Sequence, residues 1–359
     1  GFTDGDVAYL GEGILSPARP ITGDYPSIIG TVIVSGVNGK LLVNPFPEQY
    51  TSEMFQYNAF SPRVSENTIM SFVDSGRTFT ISTTDTTFYY YYRGVKYIKT
   101  NSDSLQISDV YGMHLLYYSG NTMYEAVQPN IDQTYDIFLN ATPITIIWWH
   151  SGHSVHYFMT DDRHTIVYPC GIRAHDHTLF GLGYVSGFDP NGITIGDGDL
   201  DVHAQFGIGQ GTLLSEDIYI TDTGVTSIQG LPILYRTGTT PTVTWEVTAN
   251  PGFSILTDSV TGRAVYNLYT GGTWSLEPIP HGKYGLIHVF GGNNYDGPKL
   301  YSVVGLDYYL EIADAENGAT NEGATIIRAV YPYLLGVKHL VSFIIETRDN
   351  MDNAVKSAI

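Results

Sequence analysis

Apolar and polar residues alternate in short runs along most of the chain, and Gly, Pro and Asn punctuate the runs. Between residues 77 and 158 eight such runs occur, at 77–82, 88–92, 96–99, 104–108, 114–118, 135–139, 144–150 and 154–158. Period-2 segments repeating every 8–12 residues or so predict an antiparallel β-sandwich or barrel. A second series, at 217–221, 231–235, 243–247, 264–269, 286–290 and 299–305, closes with a run at 340–347. Residues 310–324 break the pattern: acids fill the first turn, and Leu310, Ala313 and Ala324 are spaced among polar residues. That arrangement predicts a short helix. Its glycines, Gly318 and Gly323, each weaken it by about 1 kcal/mol relative to Ala.

The first 75 residues carry scattered turn signals, and the Asn38-Gly39 pair between apolar pieces at 28–37 and 40–43 predicts a hairpin. Residues 161–217 interrupt the alternation with His164, His175, His177, His203, the single cysteine Cys170 and a high density of Gly and Asp. The predicted fold is therefore mainly β. Two consecutive antiparallel β-sandwich halves of jelly-roll type, residues 76–160 and 218–359, are joined by the Gly/His/Asp-rich junction at 161–217. An N-terminal arm or attachment segment at 1–75 precedes them, and one short helix lies near the C-terminus.

A length of 359 residues exceeds what a single core usually supports. Only 15% of residues are charged, against about 25% in ordinary globular chains, so Thr, Ser, Asn, Gly and Tyr must supply much of the surface. The 28 tyrosines suit strands and contact surfaces alike. A net charge of −19 repels phosphate, which argues against a nucleic-acid or anionic-membrane partner. No apolar run approaches the roughly 18 residues of a membrane-spanning helix, so no membrane insertion is expected. One cysteine excludes an intrachain disulfide. A start without Met and an apolar final residue are expected of a processed or trimmed chain.

Candidate chemistry gathers in and around the junction. His175-Asp176-His177 puts two imidazoles at i and i+2, on one side of an extended segment. Asp197, Asp199 and Asp201, with His203 following, could attract a cation, but the EF-hand pattern fails at Val202 and Ile208. Asp161/Asp162 and Glu216/Asp217 are paired acids. In strands, sequence neighbours face opposite ways, whereas glycosidase carboxylates face each other about 5–9.5 Å apart. His150, His153 and His156 look metal-like, yet the strand period turns His153 away from the other two. No G-x-S-x-G, P-loop or H-E-x-x-H sequence is present. For a binding surface the candidates are Tyr90, Tyr92, Trp148 and Trp149. Adjacent Trp148 and Trp149 should face opposite sides of one strand, one in the core and the other available.

The succession SFVDSGRTFTI, YRGVKYIK, ISDVYGMHLLYY, DDRHTIV, AHDHTLFGLGYVSG, VHAQFGIGQGTLLSEDIYI, RAVYNLYTGGTW, LIHVFGGNN, IADAENGATNE and FIIETRDNMDNAVKSAI resembles virion structural proteins of tailed phages, of the tail-fibre or receptor-binding type. The resemblance covers residues 70–359 or so and brings no established active-site residues. It implies a non-enzymatic component of the external tail or capsid surface, used for host attachment or particle assembly. The partners implied are a homotrimer of this chain, other virion proteins, and a host-surface glycan or protein. In trimeric fibres an H-x-H element can place six imidazoles around one axial metal, which makes His175 and His177 candidate ligands of an axial transition metal. A glycan-cleaving tailspike enzyme and a capsid decoration or vertex protein are the alternatives.

Overall fold

The computed structural model describes residues 7–11, 14–16, 27–34, 40–43, 58–61, 64–165, 181–249, 252–330, 336–349 and 352–359. They belong to two compact units, Gly1–Tyr57 and Asn58–Ile359. In the first unit the strands Ile14–Ser16, Val7–Gly11, Ser27–Val34 and Lys40–Val43 form one antiparallel sheet in that order. Ser27–Val34 and Lys40–Val43, which flank Asn38-Gly39, are paired with Val34 opposite Lys40.

The second unit is mainly β, built from largely antiparallel sheets with a helix near the C-terminus, as the alternation predicts. Thr68–Val73, Thr78–Thr83 and Asp103–Gln106 make one small sheet, so pairing begins before residue 76. Ala59–Phe60, Phe88–Tyr92 and Val95–Lys99 make another. A four-stranded sheet runs in the order Thr122–Val127, Gly112–Ser119, Thr142–His150, Val155–Met159. Phe60, Phe79, Phe88, Tyr90, Leu116, Tyr118, Ile147 and Trp149 join these layers in one apolar core.

C-terminal to the junction lies a larger sheet in the order Val265–Thr270, Thr273–Pro278, Pro232–Thr239, Leu300–Tyr309, Lys283–Gly292, Val337–Thr347, Asn353–Ala358, with Thr244–Ala249 also paired to Pro232–Thr239. Pro232–Thr239 and Leu300–Tyr309 run parallel, and the other pairs in this sheet are antiparallel. Trp148 and Phe158 from the four-stranded sheet pack with Leu234, Trp245, Phe290 and Tyr301 of the larger one. The Thr142–His150 strand is thus buried along its whole length, with a different core on each face. A strand covered on both faces reads as a continuous apolar run. TPITIIWWH does so.

Two elements differ from expectation. Residues 135–139 lie within a helix, Ile131–Asn140, rather than a strand. Asn130 caps it: the side chain accepts from the Gln133 N–H at 2.9 Å, while the Gln133 side chain accepts from the Asn130 N–H at 3.0 Å. That reciprocal pair starts a helix, and Thr134 and Phe138, four apart, bury one face of it. The C-terminal helix, Ile312–Val330, is longer than predicted. Ala315 and Ala319 press it against Leu286 and Ile344 of the sheet. Gly318 is required there, because a Cβ would collide with the Tyr309 hydroxyl. That hydroxyl donates to Glu322 Oε1 at 2.6 Å.

Outside the junction, alternation also left unread the strands Val7–Gly11, Ile14–Ser16, Ala59–Phe60, Thr68–Val73, Thr122–Val127, Thr273–Pro278 and Asn353–Ala358. Within the junction, Gly183–Gly187, Gly211–Ser215 and Ile218–Asp222 form a three-stranded sheet, and Pro190–Asn191 pairs with Gly207–Ile208.

Candidate functional site

Residues 160–165 leave the Val155–Met159 strand and enter a buried, charged centre. Arg163 grips Asp161 with two guanidinium contacts, Nε to Oδ1 at 2.7 Å and Nη2 to Oδ2 at 2.6 Å. Its Nη1 donates to the carbonyl and the hydroxyl of Thr68. The Asp162 carboxylate accepts from the Thr160 hydroxyl. The His164 carbonyl accepts from the Phe60 N–H at 2.9 Å. Its ring Nδ1 lies 2.6 Å from Asp217 Oδ1. The other Asp217 oxygen accepts from the Thr165 N–H at 2.8 Å and the Thr165 hydroxyl at 2.7 Å.

Burial alone would raise the Asp217 pKa, but the His164 and Thr165 donors outweigh it and hold the carboxyl well below the usual range. Glu216 Oε2 stands 3.4 Å from His164 Nδ1, and Asp162 Oδ1 stands 4.0 Å from His164 Nε2. Asp162 therefore meets Glu216 and Asp217, far away in sequence, at one imidazole, while Asp161 is turned to Arg163. Glu216 reaches it from a two-residue turn between Gly211–Ser215 and Ile218–Asp222, with a left-handed φ of 54°. Such backbone costs about 1 kcal/mol or more in a non-glycine residue. Together these bonds clamp residues 160–165 to three other parts of the chain, at Phe60, Thr68 and Asp217.

A second centre forms where the Thr142–His150 strand ends. Residues 151–154 form a turn, with Ser154 at φ 54°. The turn reverses the strand alternation and lays the His153 ring on the His150 ring, centroids 4.1 Å apart. Glu246, in the Thr244–Ala249 strand, completes the group: Oε1 is 3.3 Å from His150 Nε2 and Oε2 is 3.6 Å from His153 Nδ1. Tyr157 places its hydroxyl 2.7 Å from His153 Nδ1. Burial, and then the negative charge of Glu246, push the Tyr157 hydroxyl up to about 12, so it stays protonated at neutral pH. His156, expected to share a face with His150, instead bridges Asp74 at 2.6 Å and Asp296 at 3.0 Å.

In the loop at 197–203, His203 Nδ1 is 3.2 Å from Asp199 and 3.9 Å from Asp197. Asp201 instead opens the short 3₁₀ turn Asp201–Ala204. Hydrogen bonding between the two exposed carboxyls pushes Asp199 up and Asp197 down, as expected when neighbours share a proton.

The proposed surface aromatics are placed otherwise than expected. Trp148 and Trp149 are each 1% exposed, so neither is available at a surface of the chain. Trp148 stacks on Phe158, and Trp149 Nε1 donates to Asp109 at 2.9 Å. The expectation assumed one solvent face, but this strand has a core on both. Tyr90 is likewise buried, stacked on Tyr118 at 4.0 Å, and its hydroxyl donates to the Gly120 carbonyl at 2.9 Å. Tyr92 is half-buried and accepts from the Ser119 hydroxyl. Trp245 is buried and Trp274 half-buried, the two flanking the Arg236 guanidinium, which sits 3.3 Å above the Trp274 ring. His175 and His177 lie outside the described residues. Glu246 was missed by sequence reasoning, although a lone acid in the middle of a β-branched and aromatic strand was the available signal.

Comparison with protein-family models, with characterised proteins and with solved structures finds no match to this chain.

Proposed function

We propose that the chain is a non-enzymatic structural component of a tailed-phage virion, of the tail-fibre or receptor-binding type, working as a homotrimer on the particle exterior. The observation that carries this reading is the set of apolar side chains standing outward on small sheets. Ile69 and Val73 on one strand, Val95 and Ile98 on another and Tyr219 on a third are each more than half exposed. Apolar groups on sheet faces are what subunit association covers. The low charge of the chain, 15% of residues, supports the same reading. So does the order of sequence motifs over residues 70–359 or so.

The carboxylates of the central clamp support a structural role. Asp161 is held by Arg163, and Asp217 by His164 and Thr165. A glycosidase needs two facing carboxyls with a sugar between them, whereas these acids are buried against their own donors. In the proposed assembly the outward sheet faces meet neighbouring copies, other virion proteins and a glycan or protein of the host surface. Sedimentation equilibrium of the purified chain is expected to return about three times the chain mass. A monomer over a wide concentration range would contradict both the trimer and the fibre reading.

A further inference from the structure

The centre at His150, His153 and Glu246 has a use that the structural role does not require. We propose that it is a binding site for a zinc-class divalent cation, held by the two imidazoles and the carboxylate with a fourth position left to water. An ion bonded at about 2.0–2.1 Å to two donors in a tetrahedron keeps them about 3.3–3.4 Å apart. The nitrogen-to-oxygen separations here are 3.3 Å from His150 Nε2 to Glu246 Oε1 and 3.6 Å from His153 Nδ1 to the other carboxylate oxygen, Oε2. One donor atom from each of the three residues lies within 4.8 Å of the others. The two rings now stack with their planes 19° apart, so closing the shell requires the exposed His153 side chain to rotate until both ring lone pairs aim at one point.

The donor set selects the ion class. Two imidazoles with one carboxylate suit zinc and its neighbours, whereas calcium and magnesium take oxygen shells. Access exists as well: the His153 side chain is 53% exposed while His150 and Glu246 are largely buried, so the site opens to solvent on one side. The other two groups of this kind among the described residues are less suited. Asp217 spends both oxygens on His164 and Thr165, and the Asp197–Asp199–His203 group is an exposed acidic loop.

The His153 N–H donates both to His150 Nδ1 and to the His150 carbonyl, each at 3.1 Å. Binding the ion at His150 Nε2 moves the ring proton to Nδ1, and the carbonyl remains as acceptor for that N–H. The Tyr157 hydroxyl, 2.7 Å from His153 Nδ1, is placed to hydrogen-bond the bound water. The ion would tie the 151–154 turn to the Thr244–Ala249 strand, joining segments from the two sequence halves.

The test uses the full chain freed of metal by chelator and titrated with zinc chloride in a calorimeter. Substitution with cobalt(II) follows, to read the visible absorption of a tetrahedral site. His153→Gln, in the exposed turn, and Glu246→Gln are each expected to lose one equivalent of zinc or to weaken it by about tenfold or more, along with the tetrahedral cobalt band. His281→Ala, another exposed histidine, is expected to bind as the parent does. No zinc binding by the parent chain would overturn the proposal, and so would parental stoichiometry and affinity in both glutamine variants. Because this site needs no trimer, a chain found to be monomeric yet binding zinc here would contradict the assembly reading and leave the metal site standing.

Discussion

An Arg163→Met variant is expected to lose about 3–5 kcal/mol of stability, the usual cost of breaking a buried ion pair by removing one partner. Arg163 is 2% exposed, and Asp161, its bidentate partner, is also buried. Without the guanidinium, the Asp161 carboxylate stays in the interior with the Arg163 backbone N–H, at 3.2 Å, as its one remaining donor among the described residues. The Thr68 carbonyl and hydroxyl lose this donor too, although the hydroxyl still donates to the Val64 carbonyl. Removing both charges should be far milder, because a buried ion pair replaced by apolar residues of similar volume is often close to neutral. Arg163→Met combined with Asp161→Leu is therefore expected to recover most of the loss. Urea unfolding of the three proteins checks this. A single variant within about 1 kcal/mol of the parent would show that the clamp contributes little.

Stability is also expected to fall by up to about 3 kcal/mol as pH drops from 6.5 toward 4, through His339. Burial first, and then electrostatic interaction with the neighbouring His288 and Lys338, push this imidazole down to about 4. The unfolded ring takes a proton near 6.5. A neutral folded ring thus contributes stability that is fully present above about 6.5 and is lost as pH falls, because the unfolded chain binds a proton that the folded one refuses. His156 has the opposite sign. Burial lowers it, but its hydrogen bonds to Asp296 and Asp74 outweigh that and raise its pKa above the ordinary value. Its contribution is present below about 6.5 and is lost as pH rises through the raised value. His339→Gln keeps a donor for the Ser342 hydroxyl, now 2.9 Å from the ring, and removes the titration. Denaturation midpoints measured from pH 7 to 4.5 should fall more steeply for the parent than for this variant. Parallel curves would contradict the assignment.

How much was legible depended on how local the cause was. Many strands announced themselves by an apolar face, and Phe88–Tyr92 was read with its observed ends. The 135–139 segment was misread because its apolar residues satisfy either period over so few positions. The deciding signal was the Asn130 and Gln133 cap just outside the window. Trp148 and Trp149 were correctly placed on opposite faces of one strand. No local pattern shows that a second sheet covers the other face, since that sheet comes from residues beyond 230.

The histidines show the same division. Period-2 reasoning separated His153 from His150, and the turn at 151–154 reversed that. Glu246 then joined them from a strand 96 residues beyond His150. Likewise Asp162, Glu216 and Asp217 were visible as acids, but their meeting at His164 is a consequence of tertiary folding. Residue types and face assignments are local properties, whereas convergence and burial on a second side are properties of the packed whole.

The central claim is that this chain stands on the outside of a tailed-phage particle. Gold-labelled antibody raised against residues 58–359, applied to intact particles of a phage whose genome is found to encode the chain and viewed by electron microscopy, tests it most directly. The account predicts label on the tail tip or fibres of undamaged particles. Particles that carry no label, while the same antibody finds the chain only in the soluble fraction of infected cells, would contradict it.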